Sequence, residues 1–454
     1  MQQSLVQKYN IQGPRYTSYP TVPYWEPEHF TAGGWKEALI RSFRETNATQ
    51  GISVYIHLPF CESLCTFCAC HKRITRRHDV EQPYIEAVLK EWELNCALLP
   101  EPPVIKELHL GGGTPTFFSP HHLELLLKGL FSRAVIAPSP EFSFEGHPNN
   151  TTAAHLQTLS NLGFRRVSFG VQDYDPVVQK AIHRIQPFER VAAATDGARS
   201  AGYESISHDL VFGLPFQTWA SMQATIERTI ELRPDRIAFY SYAHVPWVKG
   251  VGQRGFREAD LPAPELKRKL YEEGKALLER SGYIEVGMDH FALPGDRLHQ
   301  SLLDGRLHRN FMGYSSSATQ VMIGLGMSAI SDAWYAFAQN EKSVEAYTEQ
   351  VHAGRLPVVK GHLLNEEDLK IRKHILNLMC RFHTSWSEPA MQVQELPEII
   401  ARLREMERDG LLEISSTGLT VTAAGRAFVR NIAMAFDLRL IRKQPDTRIF
   451  SMTV

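Results

Sequence analysis

The sequence predicts an α/β fold in which a full or partial (β/α) barrel is followed by a small, mostly helical domain. Between residues 53 and 292, short β-branched runs alternate with helical patterns, which is typical of βαβ units around a parallel sheet. After residue 360 the pattern changes to helix, helix and hairpin. The length of 454 residues allows this division, because an α/β barrel alone takes roughly 200 residues or more.

The alternating region supplies the elements of the predicted barrel in order. Its strand candidates are residues 53–60, 105–112, 141–146, 166–172, 207–214, 236–242 and 283–291. Helical patterns lie at 83–99, 120–131, 220–232 and 263–282. Ligands of such folds bind where the carboxyl ends of the strands run into loops, so we expect functional residues at strand ends.

The segments that flank the barrel differ from it in character. The first 50 residues show no regular apolar period, and the Gly-, Pro- and Tyr-rich run at 13–21 predicts an ordered loop or arm. Helical patterns at 366–382 and 396–410, followed by a hairpin, predict a winged-helix-like domain. The predicted division is an N-terminal arm (1–50), a catalytic barrel (51–300), a connecting segment that closes the active site (301–360) and a helical C-terminal domain (361–454).

The composition argues against several classes of function. The 49 basic and 50 acidic residues give a formal net charge of −1, whereas proteins that bind nucleic acid usually carry a basic surplus. We therefore expect the winged-helix-like domain to be a scaffold or lid. The sequence has no apolar run of the length that spans a membrane and no apolar core of a signal peptide at its start. We expect a cytoplasmic protein and, without features of an obligate interface, a monomer.

Four of the six cysteines lie within ten residues. Cys61, Cys65 and Cys68 form a C-x3-C-x2-C motif directly after a predicted strand. Three thiolates on one tight loop could hold three corners of a [4Fe–4S] cluster and leave one iron open to bind and activate another molecule. The alternative is a zinc site made by Cys65, Cys68, Cys70 and His71, although structural zinc usually takes two separated ligand pairs.

Two further features follow predicted strands. Gly112, Gly113 and Thr114 come at the end of one strand, where glycines would let the backbone approach a ligand closely or would simply form a turn. Glu145 comes at the end of the next strand. A carboxylate in that position of a barrel packs poorly and suits ligand binding.

The cysteine motif, with an aromatic residue before its third cysteine, and GGGTP at 111–115 resemble the radical S-adenosylmethionine (SAM) superfamily. A closer resemblance, to the oxygen-independent coproporphyrinogen III oxidase family, runs nearly from end to end. The cysteine motif alone indicates the superfamily, whereas the arm, LHRNFMGY and the C-terminal domain indicate the family. The resemblance rests on GPRYTSYPT (13–21), YIHLPFC (55–61), LGGGTPT (110–116), GVQD (170–173), DLVFGLP (209–215), MDHFA (288–292), LHRNFMGY (307–314) and GMSAIS (326–331).

The resemblance implies an activity and its cofactors. The activity is the anaerobic oxidative decarboxylation of two propionate side chains of coproporphyrinogen III to vinyl groups, which gives protoporphyrinogen IX in haem (porphyrin) biosynthesis. A 5′-deoxyadenosyl radical, generated from SAM at a [4Fe–4S] cluster, would abstract hydrogen from the β-carbon of a propionate. The family also implies a second SAM position and a low-potential electron donor such as flavodoxin or ferredoxin.

The resemblance further assigns roles to matching positions. Cys61, Cys65 and Cys68 would be the cluster ligands. The first SAM would contact Tyr55, Gly112, Glu145 and Ile330. The second SAM would contact Phe67, Gly113, Thr114, Gln172, Arg184, Asp209 and Ala243.

Roles for Asp209, Tyr55 and His57 can be argued from the residues themselves. Asp209 at a strand end could accept hydrogen bonds from ribose hydroxyls, with a helix cap as the alternative. Tyr55 and His57 are two residues apart on one predicted strand, so both face the same side. We predict both as catalytic residues, and a buried core histidine is the alternative for His57.

The implied substrate carries four propionates and so needs cations. Arg15 in the arm and Arg309 in LHRNFMGY are the predicted substrate contacts, because a planar guanidinium pairs with a carboxylate in bidentate fashion. The run Lys72–Arg77 after the cysteines is another candidate. A solvated charged surface is the alternative for each of them.

One segment departs from the family pattern. Residues 145–148 read Glu-Gly-His-Pro, where we expect Glu-Val-Asp-Pro, so that His147 replaces an acid. The change leaves the predicted cluster and SAM positions intact but alters the local charge. A related radical SAM methyltransferase or porphyrin-modifying enzyme therefore stays open. A haem-binding relative without oxidase activity is a second alternative, but Cys70 and the arm count against it, since such relatives usually lack both.

Overall fold

A computed structural model describes residues 5–247, 252–445, 447 and 449–453. Its strands are β1 (Ile52–Leu58), β2 (Phe60–Cys61), β3 (Arg73–Ile74), β4 (Val104–Gly112), β5 (Val135–Gly146), β6 (Phe164–Gln172), β7 (Ser205–Phe212), β8 (Arg236–Ser241), β9 (Ile284–Gly287), β10 (His290–Ala292), β11 (His308–Asn310), β12 (Gly313–Ser315), β13 (Met322–Leu325), β14 (Ile330–Asp332), β15 (Ala336–Asn340), β16 (Val358–Leu363), β17 (His383–Ser385), β18 (Leu412–Ile414) and β19 (Gly418–Val421).

The helices are α1 (Leu5–Tyr9), α2 (Ala32–Thr46), α3 (Glu81–Cys96), α4 (Pro120–Phe131), α5 (Ala153–Asn161), α6 (Pro176–Ala181), α7 (Phe188–Ser200), α8 (Trp219–Leu232), α9 (Pro264–Arg280), α10 (Arg297–Leu303), α11 (Val344–His352), α12 (Glu366–Arg381), α13 (Leu396–Arg408), α14 (Val429–Met434) and α15 (Leu438–Arg442). No helix within the described ranges has both the length and the apolar character needed to cross a membrane.

A 12-stranded sheet in the order β16-β15-β14-β13-β1-β4-β5-β6-β7-β8-β10-β9 forms the frame of the molecule. From β13 to β8 every neighbouring pair is parallel, and helices α3 to α8 connect the successive strands from β1 to β8. Antiparallel strands extend both edges. The predicted α/β fold with a partial barrel is therefore confirmed.

The parallel strands are apolar on their outer side and polar on their inner side. In β1 the even-numbered residues from Ile52 to Leu58 are fully buried in the main apolar core. Ser53, Tyr55 and His57 alternate with them, and side chains on a strand point alternately to opposite faces. The inner face of the barrel therefore carries side chains that can bind polar ligands.

Serine side chains close the amino-terminal end of the barrel. The Oγ of Ser315 donates a hydrogen bond of 2.7 Å to Oε1 of Glu107, and the Oγ of Ser53 donates one of 2.7 Å to Oε2 of the same carboxylate. The Oγ of Ser316 donates to Oε1 of Glu141 at 2.5 Å. These hydroxyls satisfy the buried carboxylates, which would otherwise be costly inside the protein.

The C-terminal region has the predicted winged-helix-like arrangement. Helices α12 and α13 pack with a three-stranded antiparallel sheet in the order β17-β19-β18. Tyr16 and Tyr19 of the arm are buried in the same apolar cluster as this domain, so the arm is fixed between the domain and the barrel. Residues 322–363 contribute β13 to β16 to the main sheet, and the predicted domain boundaries themselves stay predictions.

Two predicted elements are wrong. The first 50 residues, predicted to lack a regular apolar period, contain the 15-residue helix α2. Its buried face includes Ser42 and Thr46 beside Trp35, Leu39 and Phe43, and these polar members conceal the helical period.

The predicted single strand at 283–291 is the second error. The structure has two strands there, β9 and β10, which pair with each other in antiparallel fashion. Asp289 has a φ of 64° in the turn that joins them, and a non-glycine residue in this conformation gives no clear signal in the sequence.

A buried ion pair joins the C-terminal domain to the sheet and gives a test of stability. Arg372 on α12 donates from Nη2 to Asp332 at 2.5 Å, with side chains 6% and 8% exposed, and donates from Nη1 to the carbonyl of Trp334 at 2.9 Å. Arg372→Met should lower the free energy of unfolding by about 3–5 kcal/mol, because it leaves Asp332 buried and unpaired.

The matched control is Arg442→Met, which removes solvent-exposed ion pairs with Glu367 and Glu395 and should cost about 1 kcal/mol or less. Adding Asp332→Asn to Arg372→Met should recover part of the loss. Urea denaturation of the cofactor-free proteins measures these differences. Equal losses for Arg372→Met and Arg442→Met would contradict this role of the buried pair.

Candidate functional site

A cavity of about 490 Å³ lies at the carboxyl ends of β1 and β4 to β7. Its volume is in the range that small-molecule sites occupy. Residues from several predicted motifs line it together, as expected for parallel strands that end at one edge of the sheet. The predicted site residues in its lining are Cys61, Cys65, Phe67, Cys68, Gly112, Gly113, Thr114, Glu145, Gln172, Arg184 and Asp209.

The cysteine loop follows β1 and is held by two other loops. Thr66 donates from its backbone N–H to the carbonyl of Ile182 at 2.9 Å and from Oγ1 to the carbonyl of Ala181 at 2.9 Å. On the other side, the N–H of Gly252 donates to the carbonyl of Cys68 at 3.2 Å. These bonds fix the loop without using the cysteine thiols.

The three thiols have polar neighbours that could stabilise thiolates. Oγ1 of Thr114 lies 3.4 Å from the Sγ of Cys61, and Nη1 of Arg184 lies 3.6 Å from the Sγ of Cys65. A hydrogen bond from Cys70 lowers the pKa of Cys68 to about 6. Burial raises the pKa of Cys61 to about 11. Cations and hydrogen-bond donors favour the thiolate form, which is the form that binds metal.

This donor set fits an iron–sulfur cluster with three protein ligands. Cys61, Cys65 and Cys68 converge on one cavity beside N–H and O–H donors, and thiolates are the usual ligands of such clusters. Within the described residues, no group of three or more His, Cys, Asp or Glu side chains is arranged around a single ion position. Ligands of a cluster bind different irons and so lie farther apart than the ligands of one ion.

The glycine run is required by contact between β4 and β1. A Cβ on Gly112, which has a φ of 112°, would lie 2.8 Å from the ring of His57, and one on Gly113 would lie 2.5 Å from the carbonyl oxygen of Pro59. The N–H of Thr114 donates to the carbonyl of Phe60 at 3.0 Å. The glycines thus allow two strand ends to touch, and this contact places Thr114 beside Cys61.

Glu145 faces the cavity as an anion held by two donors. The N–H of Gly112 donates to Oε2 at 3.3 Å, and Nε2 of His109 lies 3.5 Å from Oε1. Desolvation opposes ionisation, but these donors outweigh it and keep the pKa of Glu145 below its ordinary value. A carboxylate so placed suits a cationic ligand group such as an ammonium.

Tyr55 and His57 lie behind the cavity wall and form a hydrogen-bonded pair. Nε2 of His57 lies 2.8 Å from the carbonyl oxygen of His71, which can only accept, so this nitrogen carries the proton. Nδ1 then accepts from the hydroxyl of Tyr55 at 3.1 Å. Burial lowers the pKa of His57 to about 4, which keeps the ring neutral. The pair ties the end of the cysteine loop to β1, and its catalytic role stays a prediction.

The opposite wall of the cavity carries the other charged candidates. Burial raises the pKa of Asp209 to about 7, and the Oγ of Ser168 donates to its carboxylate at 2.8 Å. Arg184 donates from Nη2 to the carbonyl of Gly170 at 2.6 Å, while its buried Nε has no partner among the described residues. The side chain of Arg184 therefore retains hydrogen-bonding capacity for a ligand.

Besides Tyr55 and His57, four predicted residues do not line the cavity. Ala243 follows β8, and Ile330 lies in β14 with its backbone against Gly324, which pairs with Tyr55. Arg309 donates to the carbonyl of Arg15 at 3.1 Å. Arg15 in turn forms an ion pair with Asp289, so the two predicted substrate arginines lie together in the arm region.

Sequence reasoning missed several side chains that shape the site. Nε2 of Gln253 donates to the carbonyls of Phe67 (3.1 Å) and Ala243 (2.8 Å) and so joins the cysteine loop to the end of β8. No pattern in the sequence indicates this bridge. His109 could have been found, since it lies on the inner face of β4 in register with Tyr55.

His147, identified in the sequence as a departure from the family pattern, lines the cavity. Its Nδ1 accepts a hydrogen bond of 3.2 Å from the N–H of Asn149. Burial, together with the charge of Arg184, lowers its pKa to about 3. The residue is therefore a neutral imidazole in a position where the family pattern predicts an acid.

Asp209→Asn should change how the stability of the cofactor-free chain depends on pH. The wild-type carboxyl, with its pKa raised from 3.8 to about 7, keeps a proton in the folded state that the unfolded chain releases. This proton stabilises the folded state fully at pH values below the pKa of the carboxyl in the unfolded chain. As the pH rises from there through the folded-state pKa, the stabilisation is lost by up to about 1.4 kcal/mol per pH unit. The melting temperature of wild type minus variant should therefore fall from about pH 4 to about pH 7 and then level. A constant difference would contradict the raised pKa.

Comparisons with known proteins agree with this geometry. A family model described as the radical SAM superfamily matches residues 55–229. A curated protein of Escherichia coli, oxygen-independent coproporphyrinogen III oxidase, is 37% identical over 445 residues, which cover 97% of this chain and 96% of its own. The protein of the same name from Synechocystis is 35% identical over 460 residues, which cover 99% and 97%.

A solved structure gives the same result. The coproporphyrinogen III oxidase of Escherichia coli, described as a radical SAM enzyme, matches with a TM-score of 0.88 at 36% identity, covering 93% of this chain and 97% of that one. Similarity at this level extends through the arm, the barrel and the C-terminal domain. The chain belongs to the oxygen-independent coproporphyrinogen III oxidase family of radical SAM enzymes.

Proposed function

We propose that the chain catalyses the anaerobic oxidative decarboxylation of two propionate side chains of coproporphyrinogen III, which gives protoporphyrinogen IX. The observation that carries this proposal is the convergence of Cys61, Cys65, Cys68 and an anionic Glu145 on one cavity, in a chain whose relatives bear this name. A bound [4Fe–4S] cluster and SAM supply an electron and a carbon radical able to remove a hydrogen atom. Each propionate then gives that hydrogen atom to the radical and one electron to an electron acceptor, and its carboxylate leaves as carbon dioxide, so that a vinyl group remains.

The chain's own residues would bind and orient these groups. We propose Cys61, Cys65 and Cys68 as the cluster ligands, with Thr114 and Arg184 stabilising two of the thiolates. Glu145 would pair with the ammonium group of the first SAM, since its two donors keep it anionic. The full proposed sets are Tyr55, Gly112, Glu145 and Ile330 for the first SAM, and Phe67, Gly113, Thr114, Gln172, Arg184, Asp209 and Ala243 for the second.

A line of polar side chains leads from the cavity to the arm and supports a role for the arm in substrate binding. Burial, together with the charge of Asp209, raises the pKa of Tyr240, and the charge of Arg15 opposes this shift. The hydroxyl of Tyr240 lies 3.3 Å from Nε2 of His290, and His290 is next to Asp289, the partner of Arg15. We propose that Arg15 pairs with a propionate of the substrate and that Arg309 holds the arm in place.

The remaining parts of the proposal concern partners. We propose a monomeric enzyme that works in the cytoplasm and takes electrons from a low-potential donor such as flavodoxin or ferredoxin. His147 in the cavity lining favours one other candidate, a radical SAM enzyme that methylates or otherwise modifies a porphyrin. Identification of the reaction product distinguishes the two.

Replacement of the cluster ligands gives the first test. Cys61→Ala, Cys65→Ala and Cys68→Ala should each lose most of the bound iron and sulfide and all formation of protoporphyrinogen IX, because each removes one of the three proposed thiolate ligands. The measurements are iron and sulfide content after anaerobic reconstitution, and product formation with SAM and reductant.

Cys380→Ala is the matched control, since this thiol is buried in the C-terminal core and should leave the iron content unchanged. Full iron and sulfide in all three motif variants would refute the ligand assignment. The proposed reaction would be overturned if wild-type enzyme with an intact cluster formed a methylated or ring-opened product. It would also be overturned if that enzyme bound haem tightly and formed no product.

Replacement of the arm arginine tests substrate binding. Arg15→Met should raise the KM for coproporphyrinogen III about tenfold with a smaller change in kcat, since one charge-assisted hydrogen-bonded pair is worth roughly 1.5–3 kcal/mol. Arg15→Lys should recover part of the loss. The control is Arg402→Met, an exposed residue of α13, which should leave KM unchanged. An unaltered KM in Arg15→Met would remove Arg15 from the substrate site.

A further inference from the structure

Exposed apolar side chains surround the cysteine loop. Leu64, between Cys61 and Cys65, is 37% exposed, and Val177 and Ile185 are 58% and 60% exposed. Single exposed apolar residues are common on protein surfaces, but a group at one site indicates an interaction surface. We name the surface formed by residues 62–66, 177–185 and 252–257 the cysteine-loop face.

Hydrogen bonds make this surface continuous. Nδ1 of His183 donates to the carbonyl of Leu64 at 2.9 Å, which joins the cysteine loop to the turn after α6. Thr66 bonds to the same turn through Ala181 and Ile182. An ideal Cβ on Gly252 would lie 2.8 Å from the side chain of Leu64, so residues 252–257 adjoin the apolar centre.

The rim of the cysteine-loop face carries unpaired cations. Lys180 and Arg254 are exposed, and neither has a carboxylate within ion-pair distance in the described part of the chain. Arg257 beside them pairs with Asp260. Among the exposed arginines that follow the cysteines, Arg73 pairs with Glu345, whereas Arg76 lines the cavity and has no ion pair in the described part of the chain. Lys180 and Arg254 are therefore free to pair with acidic groups of another molecule.

We propose that the cysteine-loop face docks a small acidic electron-transfer protein, of the flavin or iron–sulfur class, which delivers the electron to the cluster. The proposal rests on the proposed function. In this transfer the donor loses one electron and the cluster gains it, and no bond or proton moves. An apolar contact at Leu64 brings the partner to within one residue of Cys65, on the exposed side of the ligand loop.

The composition of the face suits this partner more than it suits the substrate. An apolar centre with a charged rim is typical of transient protein interfaces, and unpaired rim cations speed association with an acidic partner. The cavity itself carries the cations Lys72, Arg76 and Arg184, so a small anionic substrate does not need the cations on the outer rim. An electron-transfer protein and a substrate at this face would respond differently to the charge reversal of Lys180 and Arg254.

The test is a charge-reversal pair, Lys180→Glu with Arg254→Glu, in the anaerobic holoenzyme. With a purified bacterial flavodoxin as probe, the Kd should rise at least about tenfold at low salt, and the difference should shrink at high salt. The rate of cluster reduction by flavodoxin hydroquinone, followed by electron paramagnetic resonance, should fall in parallel. Reduction by dithionite, and turnover driven by dithionite, should stay unchanged.

The control is Lys36→Glu with Arg402→Glu, two exposed residues on α2 and α13 away from the face, which should match the wild type. An unchanged Kd and reduction rate in the charge-reversal pair would overturn the proposal. So would a raised KM for the porphyrinogen under dithionite, which would make the face a substrate entrance. If the wild type binds flavodoxin and is reduced by it but forms no protoporphyrinogen IX with dithionite, the proposed function is refuted. The docking proposal is not refuted by that result.

Discussion

The parallel pairing of β1 with β4 is the constraint on which the rest of the site depends. Its register sets Tyr55 against His109 and Leu58 against Gly112, so the cysteine loop and the glycine run leave the sheet side by side. Only glycine fits at 112 and 113, because the strand ends touch there. Through this contact Thr114 reaches Cys61.

A second constraint is the polar inner face of the barrel. Inner carboxylates are stable only when they are hydrogen-bonded, and the chain meets this need differently at the two ends. At the amino-terminal end, serine hydroxyls donate hydrogen bonds to the carboxylates of Glu107 and Glu141. At the carboxyl end, Glu145 and Asp209 keep unused lone pairs toward the cavity, with one donor or two each. Because fewer donors satisfy the carboxylates at the carboxyl end, that end of the barrel can still bind a polar ligand.

The parts of the site that follow from strand ends and from the spacing of residues could be predicted from the sequence. Cys61, Gly112 and Glu145 lie at the ends of predicted strands, and parallel pairing then brings them together. Contacts between distant segments could not be predicted, because they depend on tertiary packing. Examples are the bridge from Gln253 to Phe67 and Ala243. The helix α2 was missed because polar residues share its buried face.

The central claim is that three cysteines hold a cluster whose remaining iron is open to SAM. The most direct measurement is the electron paramagnetic resonance spectrum of the reduced wild-type enzyme before and after SAM is added. If SAM binds at the open iron, its addition will change the g-values of the cluster signal. An identical spectrum at saturating SAM, with SAM binding shown independently, would contradict the claim.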